Sequence, residues 1–166
     1  MYCGWRCSDW TSVQPSSREG LIMMGKLALA AAVVLAIGGV ARAQGIDPIE
    51  TRQTGLDLLA GTFAGVKAVV TTNGDVKSLE GAGKAIHRWG ALFPSLFPAG
   101  SDKGNTKASP AIWTDKAGFE KDAMALSTAG EALATAAKAG DATAVAAAYK
   151  EIGEACGACH KEYRLK

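Results

Sequence analysis

From residue 47 to the C-terminus, apolar side chains recur every three or four positions and polar ones fill the gaps. The first such segment opens at "GIDPIE", where Asp47 is placed to cap a helix and Pro48 to take its first position. At about 100° per residue, Ile49, Leu56, Leu59, Phe63, Val66 and Val70 fall on one face. The stripe stops at "TTNGD". No alternating strands flank that Asn-Gly pair, so it predicts a helix C-cap rather than a hairpin. A second stripe begins near Asp75 with Val76, Leu79, Gly83, Ile86, Gly90 and Phe93. The segment "PSLFPAGSDKGNTKASP" then carries three prolines and two glycines, and predicts the one long connection. After "IWTD", with Thr114 or Asp115 as cap, a third stripe runs through Phe119, Ala123, Leu126, Gly130, Leu133 and Ala137. "KAGD" supplies Gly140 as a stop and Asp141 as the next cap. The fourth segment sets Val145, Tyr149, Ile152, Cys156, Cys159, His160 and Tyr163 on a single, inward face. Four amphipathic helices with two short connections and one longer one predict an all-α fold, an antiparallel up-down-up-down four-helix bundle.

Composition agrees. Aromatic residues are only 7% of the 166-residue chain while alanine is abundant, which favours close-packed helices over sheets. The length suits one domain. The front of the chain reads as something else. From Met23 the text is "MMGKLALAAAVVLAIGGVARAQ": Lys26 gives a positive start, Leu27 to Val40 an apolar run, and Ala41-Arg42-Ala43 an A-x-A cleavage site. That is the anatomy of a secretory signal peptide over 23–43, with an apolar run shorter than the roughly 20 residues of a membrane-spanning helix. The expected mature protein begins at Gln44 and works in the periplasm. Residues 1–22 are polar and unpatterned, and read as a mis-called start or an extended N-terminus; Cys3 and Cys7 have no further ligands nearby. From Gln44 onward, eleven Lys and three Arg balance fourteen acidic residues, so nucleic acid is not an expected partner.

The chemistry lies in "EACGACHKEYRLK". Cys156, Cys159 and His160 form C-x-x-C-H, and two cysteines three apart with a histidine four beyond the first reach one side of a helix together. In an exported protein this spacing reads as covalent attachment of one haem c, with two thioethers to the cysteines and His160 as axial iron ligand. A thioredoxin-like dithiol needs a strand before it, and none is predicted. A zinc site needs four ligands, and the mature chain adds only His87 to these three. No methionine follows the motif. Of the upstream candidates for a sixth ligand, Met124 faces away from its helix's apolar stripe, and His87 sits at the edge of a polar arc beside Glu80 and Lys84. The expectation is an iron with one protein ligand and one open face, with the haem near one end of the bundle.

Arg52 lies one turn before Leu56 on the first stripe. A buried arginine calls for an anionic partner, and a haem propionate suits its bidentate fork; the competing reading has Arg52 reaching solvent at the end of the bundle. Leu56 is placed to cover the open side of the iron with hydrocarbon.

With "RQTGL" (Arg52, Gln53 and Leu56 among its residues), "LFPAGSD", "SPAIWTD" and "CGACHKEYR" assembled, the chain from Asp47 to Lys166 resembles the class II c-type cytochromes, and within them the cytochrome c-prime family. The resemblance implies a five-coordinate, high-spin haem with His160 as proximal ligand. It also implies nitric oxide and carbon monoxide binding on the face that Leu56 restricts, with Arg164 beside the proximal face. It implies electron exchange with redox partner proteins and frequent homodimers through the first two helices. A peroxidase or nitric oxide reductase would need polar catalysis on the distal side. The first helix offers leucine and phenylalanine there and no histidine, so no enzymatic role is expected. The low-spin relatives, similar to cytochrome c-556, hold methionine where Leu56 stands. The alternative expectation is such a six-coordinate electron carrier, ligated by His87, Met124 or a lysine.

Overall fold

A computed structural model of the chain describes residues 46–166. The signal segment, its cleavage site and the stretch before it lie outside those residues. Helix α1 spans Pro48–Thr71, capped by Asp47, whose carboxylate accepts from the Ile49 amide at 2.8 Å. It ends at Thr72, and Asn73 turns the chain at a φ of 51°. The second segment is composite. Asp75 caps a 3₁₀ turn (Val76–Leu79), α2 runs Glu80–Leu92, and a second 3₁₀ turn (Phe93–Leu96) follows once Pro94 removes an amide. Helix α4 (Lys116–Ala139) is capped by Asp115 and stopped by Gly140 at a φ of 75°, and α5 (Ala142–Tyr163) is capped by Asp141. The expected four-helix arrangement is therefore present, and the choice between Thr114 and Asp115 falls on Asp115. One element lacks a sequence signal: α3, the single turn Ala111–Thr114 overlapping "IWTD", which starts on Pro110 and is broken at Asp115.

The four long elements do not pack equally. Along α2 and α4, glycines let two backbones approach. Gly83 faces Ala134, Gly90 faces Ser127, and Gly130 faces the backbone of Ile86 and His87. A Cβ built on Gly83 would fall 2.7 Å from the Ala134 Cα, a distance no side chain tolerates. Ser127 is buried in this seam and donates to the His87 carbonyl at 3.0 Å. Helix α5 completes the slab with Val145, Ala148 and Ile152 against Leu133, Ala136 and Ala137. Helix α1 joins mainly at its C-terminal half, through Val66 with Leu59, Phe63, Val69 and Val70 around it; Phe63 stacks on Tyr149 at 4.9 Å. A second apolar cluster of Ile112, Phe119 and Tyr163, flanked by Phe93, Phe97 and Trp113, closes the other end.

The seam makes a stability prediction. Gly83→Ala should lower unfolding stability by about 1–3 kcal/mol, because an added methyl group overpacks a rigid contact. Gly65→Ala, on the open side of α1 with nothing near its Cβ position, should raise it by up to about 1 kcal/mol. Urea unfolding followed by helical circular dichroism separates the two.

Candidate haem site

Where the N-terminal half of α1 stands off from α4 and α5, a cleft of about 780 Å³ opens, and a smaller cavity of about 250 Å³ adjoins it beneath the long connection. Leu56, Leu59, Phe63 and Leu126 line the larger space, Phe97, Ile112 and Phe119 the smaller, and Phe93 both. Cys156 and Cys159 are half-buried in the cleft wall as free thiols, one turn apart on α5. Burial pushes both thiols up; for Cys159, to about 11, the charges of Asp122 and Cys156 add to it. Such thiols stay protonated at neutral pH, the opposite of a redox dithiol, which works through a lowered pKa. Among the described residues no three His, Cys, Asp or Glu side chains gather as a metal cage. A large, flat, mostly apolar group carrying its own iron fits this space, with two sulfurs to anchor it and one imidazole at its edge.

His160 also lines both spaces, but it differs from expectation in depth. It is exposed at the mouth of the cleft, because it lies round α5 from the buried row of Ile152 and Tyr163 rather than on it. Desolvation by the wall and the nearby Arg164 guanidinium lower its pKa, which favours the neutral ring that ligates metals. Arg164 is exposed at the same mouth. An antiparallel bridge between Ala108 and Arg164 fixes its backbone, aided by the Leu165 amide donating to the Lys107 carbonyl at 2.8 Å.

Arg52 is 2% exposed, so it does not reach solvent. Nor do its terminal nitrogens face an anion. One donates to the Leu96 carbonyl at 3.3 Å and the Ser101 hydroxyl at 2.9 Å. The other donates to the Ser101 carbonyl at 2.7 Å and the Thr106 hydroxyl at 3.0 Å. The guanidinium also lies 4.6 Å over the Phe97 ring. The fork therefore pins the long connection across the end of the cleft, and only its Nε–H is left for a propionate. Burial lowers its pKa, opposed by Asp47, without threatening its charge. Gln53 does similar work, donating to the Asn105 carbonyl at 2.8 Å. Leu56 lines the cleft and the adjoining cavity from α1.

The candidate sixth ligands stay away. Met124 is 51% exposed, and the His87 ring turns toward Ser127, with Nδ1 3.0 Å from its hydroxyl. Neither lines the cleft or the adjoining cavity; of the lysines, Lys107 lines the adjoining cavity.

Three site features were missed from sequence. Trp89 enters the cleft wall with its ring against Gly55, its indole nitrogen buried without a partner. Tyr163 donates its hydroxyl to Asp115 at 2.7 Å, joining the end of α5 to the cap of α4. Asp122 stands half-buried in the cleft without an ion pair or side-chain hydrogen bond to any described residue. Asp122 had a readable signal, an acid interrupting the row Phe119, Asp122, Leu126.

The family described as Cytochrome C′ matches residues 47–164. Cytochrome c′ of Rubrivivax gelatinosus is 35% identical over 123 residues, covering 72% of this chain and 95% of that protein. Cytochrome c-556 of Agrobacterium tumefaciens (strain B2A) is 38% identical over 92 residues, 55% of this chain and 74% of its own. Among solved structures, the nitric oxide complex of a leucine-to-alanine mutant of cytochrome c prime from Alcaligenes xylosoxidans superposes with a TM-score of 0.66 at 31% identity, covering 72% of this chain and 94% of that one.

The Tyr163–Asp115 pair carries a pH prediction. Its hydrogen bond holds the Asp115 carboxyl below its ordinary range and pushes the Tyr163 phenol up to about 12, hydrogen bonding leading in both cases. A lowered carboxyl pKa gives stability that is present above about pH 4 and lost as pH falls through the folded value. A raised phenol pKa gives stability present below about pH 10 and lost as pH rises through the folded value. Tyr163→Phe should therefore be less stable than the parent at neutral pH, with the gap closing toward both extremes. Ultraviolet titration should lose the phenol that ionises last.

Proposed function

Because the chain belongs to the cytochrome c′ family and so carries haem c covalently, we propose that it is a periplasmic gas-binding and electron-transfer protein whose iron keeps one open face. In this reading Cys156 and Cys159 hold the thioether bonds and His160 is the iron's protein ligand. When bound, the haem supplies an iron that exchanges single electrons and takes small diatomic ligands. The protein's own groups do the rest. The neutral His160 ring ligates from the mouth of the cleft. Leu56, Phe93 and Phe97 present hydrocarbon, which admits a small gas and discourages water. Arg164, tied through its backbone to Ala108, stands beside His160.

The observation that carries the open face is the lining itself. Among the described residues that line the cleft there is one imidazole and no methionine. The nitric oxide complex of the Alcaligenes xylosoxidans protein supports the gas class by analogy. The hydrocarbon of Leu56, Phe93 and Phe97, with no second histidine among the described residues that line the cleft, supports a binder over an enzyme, since peroxidase-type chemistry needs a positioned proton carrier. Export rests on the signal-peptide pattern of residues 23–43. A homodimer through α1 and α2 is consistent with Leu58 and Leu92, which are 69% and 52% exposed on those helices.

The likeness to cytochrome c-556 keeps a second reading in view, a six-coordinate electron carrier. It needs another side chain at the iron, and of its candidates Lys107 is the one beside the cleft.

Expressed in a host that attaches haem, the protein should gain the mass of one haem. Cys156→Ser together with Cys159→Ser should remove that covalent mass. The resting spectrum should be high-spin, and carbon monoxide added to the reduced protein should shift the Soret band. A low-spin spectrum unmoved by carbon monoxide would establish the six-coordinate reading instead.

A further inference from the structure

Asp122 is a half-buried carboxylate facing the cleft from α4, and no described residue pairs with it by a salt bridge or side-chain hydrogen bond. A half-buried acid that faces an apolar cleft with no partner is open to one. Its neighbours give it a task. Helices α4 and α5 run antiparallel across the tight turn at Gly140. The Phe119 ring of α4 meets the Tyr163 ring of α5 at 5.3 Å. One turn onward along α4 is Asp122, and one turn back along α5 are Cys159 and His160, which puts the carboxylate level with the motif. Asp122, Cys159, His160 and Arg164 line the same cleft. The negative charge of Asp122 is felt there, since it raises the pKa of both Cys159 and Tyr163.

We propose that in the haem-loaded protein Asp122 is a positioning residue for the iron ligand: once the His160 ring is turned to the iron, the carboxylate accepts a hydrogen bond from the ring N–H that does not face it. A histidine that ligates a metal almost always donates its other N–H, often to a carboxylate, and that bond fixes the ring's tautomer and orientation and makes it a stronger donor. Here His160 is exposed at the cleft mouth, and no side-chain hydrogen bond to a described residue holds its ring. The hydrogen bond to Asp122 supplies the constraint from across the helix pair.

This inference rests on His160 being the iron ligand, and the test separates the two claims. In the reduced holoprotein without gas, the iron–histidine stretching band in resonance Raman reports the strength of the ligand directly. Asp122→Asn should lower that band's frequency. It should also raise the reduction potential by about 59 mV, a tenfold change in a one-electron equilibrium. Asp122→Glu should restore part of both, and covalent haem mass confirms that each variant has matured. If Asp122→Asn fails to mature, Asp122→Glu alone must still shift the band. A band present but unmoved in every variant overturns the proposal, even if the potential changes, because the carboxylate then acts only as a distant charge or on Arg164. Coupling between Asp122→Asn and Arg164→Ala in the potential, with the band unmoved, points to that second partner and also overturns it. Absence of an iron–histidine band in the parent protein defeats the ligand assignment itself.

Discussion

The architecture depends on how closely α2 and α4 approach. Three glycines, Gly83, Gly90 and Gly130, remove the side chains that would hold the two backbones apart, and Ser127 satisfies its hydroxyl inside the seam. Tight contact on that side, continued into α5, makes a rigid slab from which Cys156, Cys159 and Asp122 project. A bundle packed so closely on every side would have no interior space. Here α1 meets the slab with its apolar row at its C-terminal half, around Val66, while its N-terminal half is held by the long connection through Arg52. The cleft is the geometric remainder of one very short helix contact and one incomplete one.

Arg52 and the long connection roof the open end. A buried guanidinium with four neutral oxygens around it and an aromatic ring beneath it is an unusual way to hold a loop, and it ties α1 to residues 44 to 54 positions away. Charge-assisted hydrogen bonds of this kind are stronger than neutral ones. The same end is sewn a second time by the bridge between Ala108 and Arg164 and by Tyr163 on Asp115. The connection is thus part of the site: Thr106, Lys107 and Ala108 line it.

How much of this was legible follows from the range of each interaction. Helix stripes, caps and stops are local, so Asp47, Asp115, Gly140 and Asp141 could be read from a few neighbours, and C-x-x-C-H is local chemistry. The errors are non-local. Arg52 was rightly expected to be buried, but the oxygens that meet it come from a connection without periodicity. His160 was grouped with its inward neighbours although its angle on α5 leaves it at the rim. The turn at Ala111–Thr114 and the 3₁₀ ends of the second segment are too short for a periodic signal, and the pairing of Tyr163 with Asp115 needs two helix ends brought together by the fold.

One aromatic side chain has a use of a different kind. Trp89 lies in the cleft wall with its ring against Gly55, at the junction of the slab and the N-terminal half of α1. An indole there emits light that a porphyrin seated in the cleft absorbs, so its fluorescence is extinguished while the slab is intact. Trp89 belongs to α2 and the two cysteines to α5, so loosening of the slab itself lengthens that separation and brightens the protein. The molecule thereby carries its own optical gauge of how far the bundle breathes.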